Sequence, residues 1–437
     1  MSDMLPAHPL RIARATLALS LALPLSLAAQ SPVQQVLASW QQLTAPTEHE
    51  ARATVPISQA LDGWQRDGHG NLMLRRGRGT PRRVVACAID RPGFTVTQIT
   101  DDGYLRLGRV ASGGHPRFDQ AHEAQQVNII TARGTVPGVI AAANAHGAAS
   151  HRADSLVVTA DDLWLDVGAS SRAEVVALGI QLRDPVERRV PAWPFAGGVA
   201  GGATGSRAGC AAIAAAARGM VERGETIFLM TTQGALGWPG LGSALARLGA
   251  VNEVTVVVAG RDVQETRWIR PGGSGGTLGI NAAVFRAGNV DSIRAITPGV
   301  RFAGSLVETI SDGGAAFVLM EVVQAAGVTR TTLGTQPWIS APATAFGQTA
   351  PSTDAQASTA AQLKTLADIP GTPGDEWRVR EAVKTAMPAW ARAQTVTDAA
   401  GNLILGMGPE RDTIVFIAQL DEVAFDVVSI AHDGVVT

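Results

Sequence analysis

The sequence predicts an α/β fold: a sheet covered by helices on both faces, a small β domain inserted into it, and the first part of a second copy behind it. Three observations carry this prediction. Strand-like apolar runs alternate with helically spaced ones, which argues for a sheet with both faces covered. Between about Pro92 and Phe195 the texture changes to short β-like segments rich in Gly and Pro. The stretch Asp67–Gly103 finds itself again, without a gap, 331 positions later.

From the N-terminus onward, each element has its own signal. Arg11 and Arg14 precede ATLALSLALPLSLAA, and Ser26 and Ala28 are placed for cleavage after Ala28, the pattern of a secretory signal peptide over 1–28. The apolar run is about 15 residues, shorter than the roughly 20 of a spanning helix, and Pro24 interrupts it. A secreted or periplasmic protein with no membrane span after cleavage is therefore expected. GNLMLRRG and RRVVACAID read as strands broken by turn residues. Short β-like runs such as TVTQITDDGYLRL, QQVNIITARGTVPGVI and SLVVTADDLWLDVG fill the insertion, 92–198. SRAGCAAIAAAARGMVERG has helical spacing with Gly at its end, and TIFLMTTQ, PGLGSALARLG and NEVTVVVAG follow as strand, helix and strand. The α/β domain thus spans 36–91 and 199–345. APATAFGQTAPSTDAQASTAAQ is short of large apolar residues and reads as an unordered linker over 346–362. The partial second copy covers 363–437.

The repeat is specific. Asp67 aligns with Asp398, Gly70-Asn71-Leu72 with Gly401-Asn402-Leu403, Asp90 with Asp421, and Phe94 with Phe425; upstream, Glu50 corresponds to Glu376. A period this long means duplicated domains, since solenoid repeats run about 20 to 50 residues. The second copy lacks the remainder of the unit, and a truncated reading frame is the expectation.

Composition narrows the function. The chain has 437 residues, 46% hydrophobic and 17% charged, with a net charge of -2. That is a globular balance with no electrostatic footprint for nucleic acid. Only Cys87 and Cys210 are present, both in apolar stretches, so two buried thiols are expected and not a disulfide framework.

Several stretches, in order, resemble the tetrahedral aminopeptidase family of dinuclear metallopeptidases, also called glutamyl aminopeptidase or endoglucanase-M-like. VVACAIDRPGF is similar to its A-H-x-D-E-V-G-F metal strand. TVPGVIAAANAH is similar to its G-V-I-G-x-x-x-x-H stretch, and LWLDVGASSRAEVVALG to its D-I-G-A-x-S-x-E-E segment. GSRAGC stands where the family has D-D-R-x-G-C, and TTQGALG where it has T-x-Q-E-E-V-G. The resemblance implies a zinc-peptidase-like mixed sheet sandwiched by helices, a barrel-like inserted domain through which family members assemble, and release of N-terminal residues from peptides.

A co-catalytic metal pair needs a bridging carboxylate, terminal His and carboxylate ligands and a Glu base. The positions that the resemblance assigns to these groups hold other residues. Ala88 stands for the His ahead of Asp90; Gly205 and Ser206 stand for the two acids before Arg207; Gly234 and Ala235 stand for the Glu pair. The last Asp ligand should follow NEVTVVVAG, where Asp262 is the nearest acid, and the late His turn falls at Thr344–Gln348, which has no His. No catalytic residue, metal ligand or cofactor is expected in copy one; these positions are vestigial. A zinc or cobalt pair is expected only if some copy is active. In the second copy Gln419 replaces the His ahead of Asp421 and Glu422, and an amide is a poor ligand for such ions.

The expected function is an exported pseudo-peptidase or partner domain, with peptides and self-association as its partner classes. The alternative is a metal-dependent aminopeptidase whose activity resides in a complete second copy. Other patterns have plain readings. Asp90 and Asp421 are read first as strand-end acids capping backbone groups. His115, His122, His146 and His151 match no ligand spacing. Asp161-Asp162 reads as a solvated turn, and GGVAGGATG as a flexible lead-in to the helix at Gly205, lacking the Lys of a phosphate loop. GGSGG at Gly272–Gly276 satisfies G-x-S-x-G but has no helix behind it.

Overall fold

Residues 31–111, 121–141, 158–189, 192–195, 197–259, 262–269, 280–286, 288–305, 307–329, 338–342, 354–408, 414–422, 427 and 429 are described by a computed structural model. The leader read at 1–28 lies outside them, as do His115, His146, His151, GGSGG and Thr344–Gln348. Contacts divide the chain into two units, 1–350 and 351–437.

The first unit opens with α1 (Pro32–Gln41), which starts on a Ser31/Gln34 capping box with Pro at its first turn. Trp40 is fully buried and its indole donates to the Ile339 carbonyl at 2.9 Å. Next come α2 (Ala51–Ala60), β1 (Gln65–Arg66), β2 (Leu72–Arg78) and β3 (Arg82–Ala88). The chain then leaves the sheet to build β4 (Phe94–Ile99), β5 (Leu105–Arg109), β6 (Gln126–Thr131), β7 (Gly134–Ala141), β8 (Trp164–Asp166), the short α3 (Arg172–Ala177) and β9 (Pro185–Arg188). Six of these strands close into a barrel in the order β4-β5-β8-β7-β6-β9. Inward side chains such as Phe94, Val96, Leu105, Ile129, Ile140 and Val186 fill it, so the β texture of the insertion does form a separate β domain, closed as the barrel that the resemblance implies.

The return is through β10 (Trp193–Phe195) and β11 (Gly198–Gly201) into α4 (Thr204–Ala216). GGVAGG is therefore not a flexible lead-in: its centre is a buried strand in a three-stranded sheet. Then follow β12 (Gly224–Thr231), α5 (Pro239–Leu248), β13 (Val251–Val257), β14 (Gln264–Ile269), α6 (Ala282–Arg286), β15 (Val290–Pro298), β16 (Glu308–Ser311) and α7 (Asp312–Ala325). The seven-stranded sheet has the order β1-β2-β12-β3-β13-β15-β14. β12, β3, β13 and β15 run parallel, and β2 and β14 are antiparallel at the flanks, the mixed sheet that was predicted. One apolar core lies between this sheet and α1, α4 and α7, a second between the sheet and α5 and α6.

α4 approaches the sheet closely because its contact face is Ala and Gly. A Cβ on Gly209 would fall 2.7 Å from Val257 Cγ1. The same close approach joins Cys87 on β3 to Cys210 on α4 in a disulfide, with Cα atoms 5.4 Å apart. This corrects the expectation of two free buried thiols. The cysteines are 123 residues apart, a span across which local sequence gives no sign of adjacency.

The second unit contains α8 (Asp354–Ala367), α9 (Trp377–Ala386), α10 (Ala389–Gln394) and a hairpin of β17 (Val396–Thr397) and β18 (Leu403–Ile404). The unordered linker expected at 346–362 is contradicted from Asp354 onward, where an Ala-rich segment forms α8; poverty in large apolar residues weakens a core but not helix propensity. The run 414–422, expected as a strand, has no strand structure. Its counterpart β3 is held between β12 and β13, and among the described residues no such neighbours flank 414–422. Phe416 and Ile417 are consequently 93% and 89% exposed.

Trp40→Ala removes the largest fully buried side chain among the described residues. It should lower the stability of the first unit by about 3–5 kcal/mol, read from urea unfolding followed by far-UV circular dichroism.

Candidate functional site

β3 ends at the carboxyl edge of the parallel strands, where open α/β sheets hold their ligands. Ala88, Asp90, Gly234 and Ala235 meet there. The loop after β12 carries Gln233 in a left-handed conformation (φ 57°) and turns back over β3. A Cβ on Gly234 would lie 2.3 Å from the Ala88 Cβ and 2.9 Å from Asp90 Oδ1, so two residues that lack functional groups fill each other's space.

Asp90 is the acid at the centre. Its Oδ1 accepts from the Gly234 N–H at 2.7 Å, and its Oδ2 from the Ala235 N–H at 3.1 Å and the Thr47 hydroxyl at 2.8 Å. Both oxygens are occupied by protein donors, and the side chain is buried. Glu50 does similar work one step away, accepting from the Gln233 N–H at 2.7 Å. Burial pushes the Glu50 carboxyl above its usual range, partly offset by backbone donors. His69 contacts the Gln233 side chain at 3.2 Å.

On the other wall, Gly205 sits in the first turn of α4. A Cβ there would meet Ala259 Cβ and Val300 Cγ1, both at 2.9 Å. Ala259, two residues beyond β13, is thus the strand-end residue facing Gly205; Asp262 is an exposed bend residue and does not take that place. Ser206 is half-buried. Arg207 is fully buried and donates to the carbonyls of Ile89 and Leu43, with burial pushing its pKa down to about 9. Glu308 accepts from the Gly205 N–H at 2.8 Å and from Gly304 at 3.1 Å, an anion at a helix N-terminus, and burial pushes its carboxyl up. Thr47, Glu50 and Glu308 escaped sequence reasoning. Only Glu50 left a trace, as the partner of Glu376 in the repeat.

A metal pair does not fit these groups. Ala88, Gly205, Gly234, Ala235 and Ala259 offer no donor atom, and the Asp90 oxygens already accept three hydrogen bonds. Among the described residues no three His, Cys, Asp or Glu side chains gather into a cation site. Of the histidines in the insertion, the described one, His122, is buried edge-on to Phe94 with ring centres 5.0 Å apart. Asp162 closes a capping box with Thr159, so the acid pair at 161–162 is a turn device.

In the second unit Gln419, Asp421 and Glu422 are exposed. The Glu422 N–H donates to the Gly371 carbonyl at 2.8 Å, just as Arg91 N–H donates to Ala45 O at 2.8 Å in the first. The hairpins also match: Gln65 pairs Met73 and Arg66 pairs Leu72, while Val396 pairs Ile404 and Thr397 pairs Leu403. In each turn an Asp, 67 or 398, accepts from the backbone and side-chain nitrogens of an Asn, 71 or 402.

The M42 glutamyl aminopeptidase family model matches residues 70–278. That match spans just under half of the chain, and over it the chain is similar to that family. Over 191 residues it is 34% identical to SgcX, and over 151 residues 32% identical to FrvX, both Escherichia coli proteins named as candidate aminopeptidases. These alignments take in 41% and 34% of this chain, and 49% and 41% of SgcX and FrvX respectively; the chain thus spans less than half the length of either relative. Among solved structures, a TET aminopeptidase from a Thaumarchaeota archaeon superposes with a TM-score of 0.59 and 18% identity, covering 70% of this chain and 99% of that one. A TET peptidase of Pyrococcus horikoshii, described as assembling into a tetrahedron or an octahedral shell, gives 0.55 and 21% over 67% and 99%. At these identities the likeness shows the shared fold.

Two variants probe the site. Asp90→Ala leaves three donors without their acceptor and should cost about 2–4 kcal/mol, with amide exchange accelerating at Gly234 and Ala235. Glu50→Gln keeps an acceptor for the Gln233 N–H and removes a carboxyl whose pKa is raised on folding. A raised acid contributes stability below its unfolded pKa and loses it as pH rises through the folded one. The wild type should therefore lose stability relative to Glu50→Gln as pH rises from the ordinary glutamate value of 4.5 through the raised one, as measured by urea midpoints from acid to neutral pH.

Proposed function

We propose that this chain belongs to the M42 family and that its first unit is a non-catalytic, exported domain: a pseudo-peptidase that binds peptides or partner subunits without cleaving them. The observation that carries this reading is that the side chains of Ala88, Gly205, Gly234 and Ala235 bring no ligand or base to the site, while Asp90 clamps the loop by accepting from Thr47, Gly234 and Ala235. A carboxylate in that state is a loop clamp, and its neighbours supply neither a second ligand nor a base to activate water. Export is supported by the disulfide, which persists in oxidising compartments, together with the leader pattern at 1–28. Self-association through the barrel is supported by exposed Val176, Leu178 and Leu182 on its surface and by the assembled states named for the related peptidases.

A second reading places metal-dependent aminopeptidase activity in a complete second copy. It is favoured by the matched hairpin registers and by the parallel Glu422–Gly371 and Arg91–Ala45 bonds. In that reading the first unit remains the silent partner.

The test is metal content by mass spectrometry together with hydrolysis of aminoacyl p-nitroanilides, with and without zinc or cobalt. The expected result is less than about 0.1 metal per chain and no turnover above background, since a co-catalytic site would hold two ions. Turnover that is restored by metal and abolished by a chelator would overturn the proposal.

A further inference from the structure

The Cys87–Cys210 disulfide lies directly beneath the candidate site. Cys87 precedes Ala88 at the end of β3, and Cys210 stands one and a half turns after Gly205 on α4. The Cys210 sulfur is 3.4 Å from the Ala88 carbonyl oxygen, and both cysteines are fully buried. The bond therefore joins the two elements that carry Ala88, Asp90, Gly205 and Arg207. It also closes a topological loop: the chain leaves the sheet just after Cys87, builds the whole barrel from β4 to β9, and re-enters through β11 just before Cys210.

In a co-catalytic site, ligands from a strand end and a helix start are drawn together by the ions they share. Here the residues at those positions bring nothing that could be shared. The noncovalent links at the base of the barrel include the buried Arg91–Glu187 pair at 3.2 Å, Arg207 reaching the Ile89 and Leu43 carbonyls, and Arg91 bonded to Gln41, Ala45 and Thr47; none of them is a covalent tie between β3 and α4. Burial, and then the nearby Arg91 charge, lower the preference of Arg207 for its charged form, while Glu187 and Asp90 favour it.

We propose that Cys87 and Cys210 form an oxidative clasp that replaces a metal pair as the cross-link between β3 and α4, and that closure of the site and of the barrel base depends on it. This rests on the reading that no metal pair bridges the two elements. Closing the clasp removes one proton and one electron from each thiol and joins the two sulfurs. A small-molecule or protein disulfide accepts the two electrons and two protons and is released as two thiols. Because the loop is 123 residues long, the chain-entropy gain of the cross-link is near the upper end of the usual range.

The experiment compares the full chain, refolded oxidised or in a phosphine reductant, with Cys87→Ala, Cys210→Ala and the double variant. Free thiols are titrated in denaturant, and thermal midpoints are read with and without EDTA or added zinc. The expected oxidised protein has no free thiol and melts about 10 °C above its reduced form. Both single variants and the double variant should match the reduced wild type, and reductant should leave them unchanged. Amide exchange should rise at Ala88–Asp90 and in the first turns of α4 on reduction. Equal midpoints for oxidised and reduced wild type, or two free thiols in the oxidised sample, would overturn the clasp. A midpoint lowered by EDTA in the oxidised protein would instead overturn the metal-free reading on which it rests. Should the variants fail to fold, the oxidised-against-reduced comparison of the wild type decides alone.

Discussion

The carboxylate of Asp90 can serve only one master. With an amide N–H on one oxygen and an amide N–H and a hydroxyl on the other, three of its roughly four acceptor sites are taken by protein donors, and the loop after β12 is held over the end of β3. Everything around that carboxylate is consistent with such a clamp. Gly234 leaves room for the Ala88 methyl, Glu50 holds Gln233 from the other side, and Gln233 itself takes the left-handed conformation that lets successive N–H groups turn inward. A bound cation at this point would compete with hydrogen bonds whose loss leaves buried donors unpaired, a penalty charged for each group.

The surrounding fold supplies the rigidity this arrangement needs. Small residues on α4 allow it to lie flat on β3 and β13, with Gly209 against Val257 and Gly205 against Ala259. The buried ion pair at the base of the barrel contributes little stability by itself, since desolvation offsets most of its Coulomb gain; what it fixes is geometry, because Arg91 also bonds the Gln41 carbonyl and its backbone pairs with Ala45 and Thr47. The barrel, the strand end and the N-terminal helices are thus tied at one seam.

Much of this architecture was legible in the sequence. The strand-helix-strand order from Thr226 to Val257, the helix at Gly205 and the β texture of the insertion follow from periodicity that tertiary packing does not override. Of the repeat read in the sequence, the structure bears on its Asp-Asn turn, whose bonds have the same pattern at 67–71 and 398–402. Three features were not legible. The disulfide joins residues separated by a whole domain, so no local pattern reveals it. Helix α8 hides in a segment whose composition suggests a linker, because Ala favours helices while adding little core. The run 414–422 reads as a strand but forms none, because strandness there depends on neighbours in a sheet and not on the segment. At the site, sequence placed Ala88, Asp90, Gly234 and Ala235 by resemblance, yet could not reveal Thr47 and Glu308, whose roles come from backbone geometry.

The account stands or falls on whether ions can occupy the space walled by Ala88, Gly205 and Gly234. Crystals soaked in zinc and measured at the zinc absorption edge address this directly, because anomalous scattering locates the metal whatever its catalytic competence. The account predicts no anomalous peak within about 3 Å of the Asp90 carboxylate, a distance beyond any zinc–oxygen bond. Two peaks about 3.5–4 Å apart at that carboxylate, the spacing of a co-catalytic pair, would contradict it.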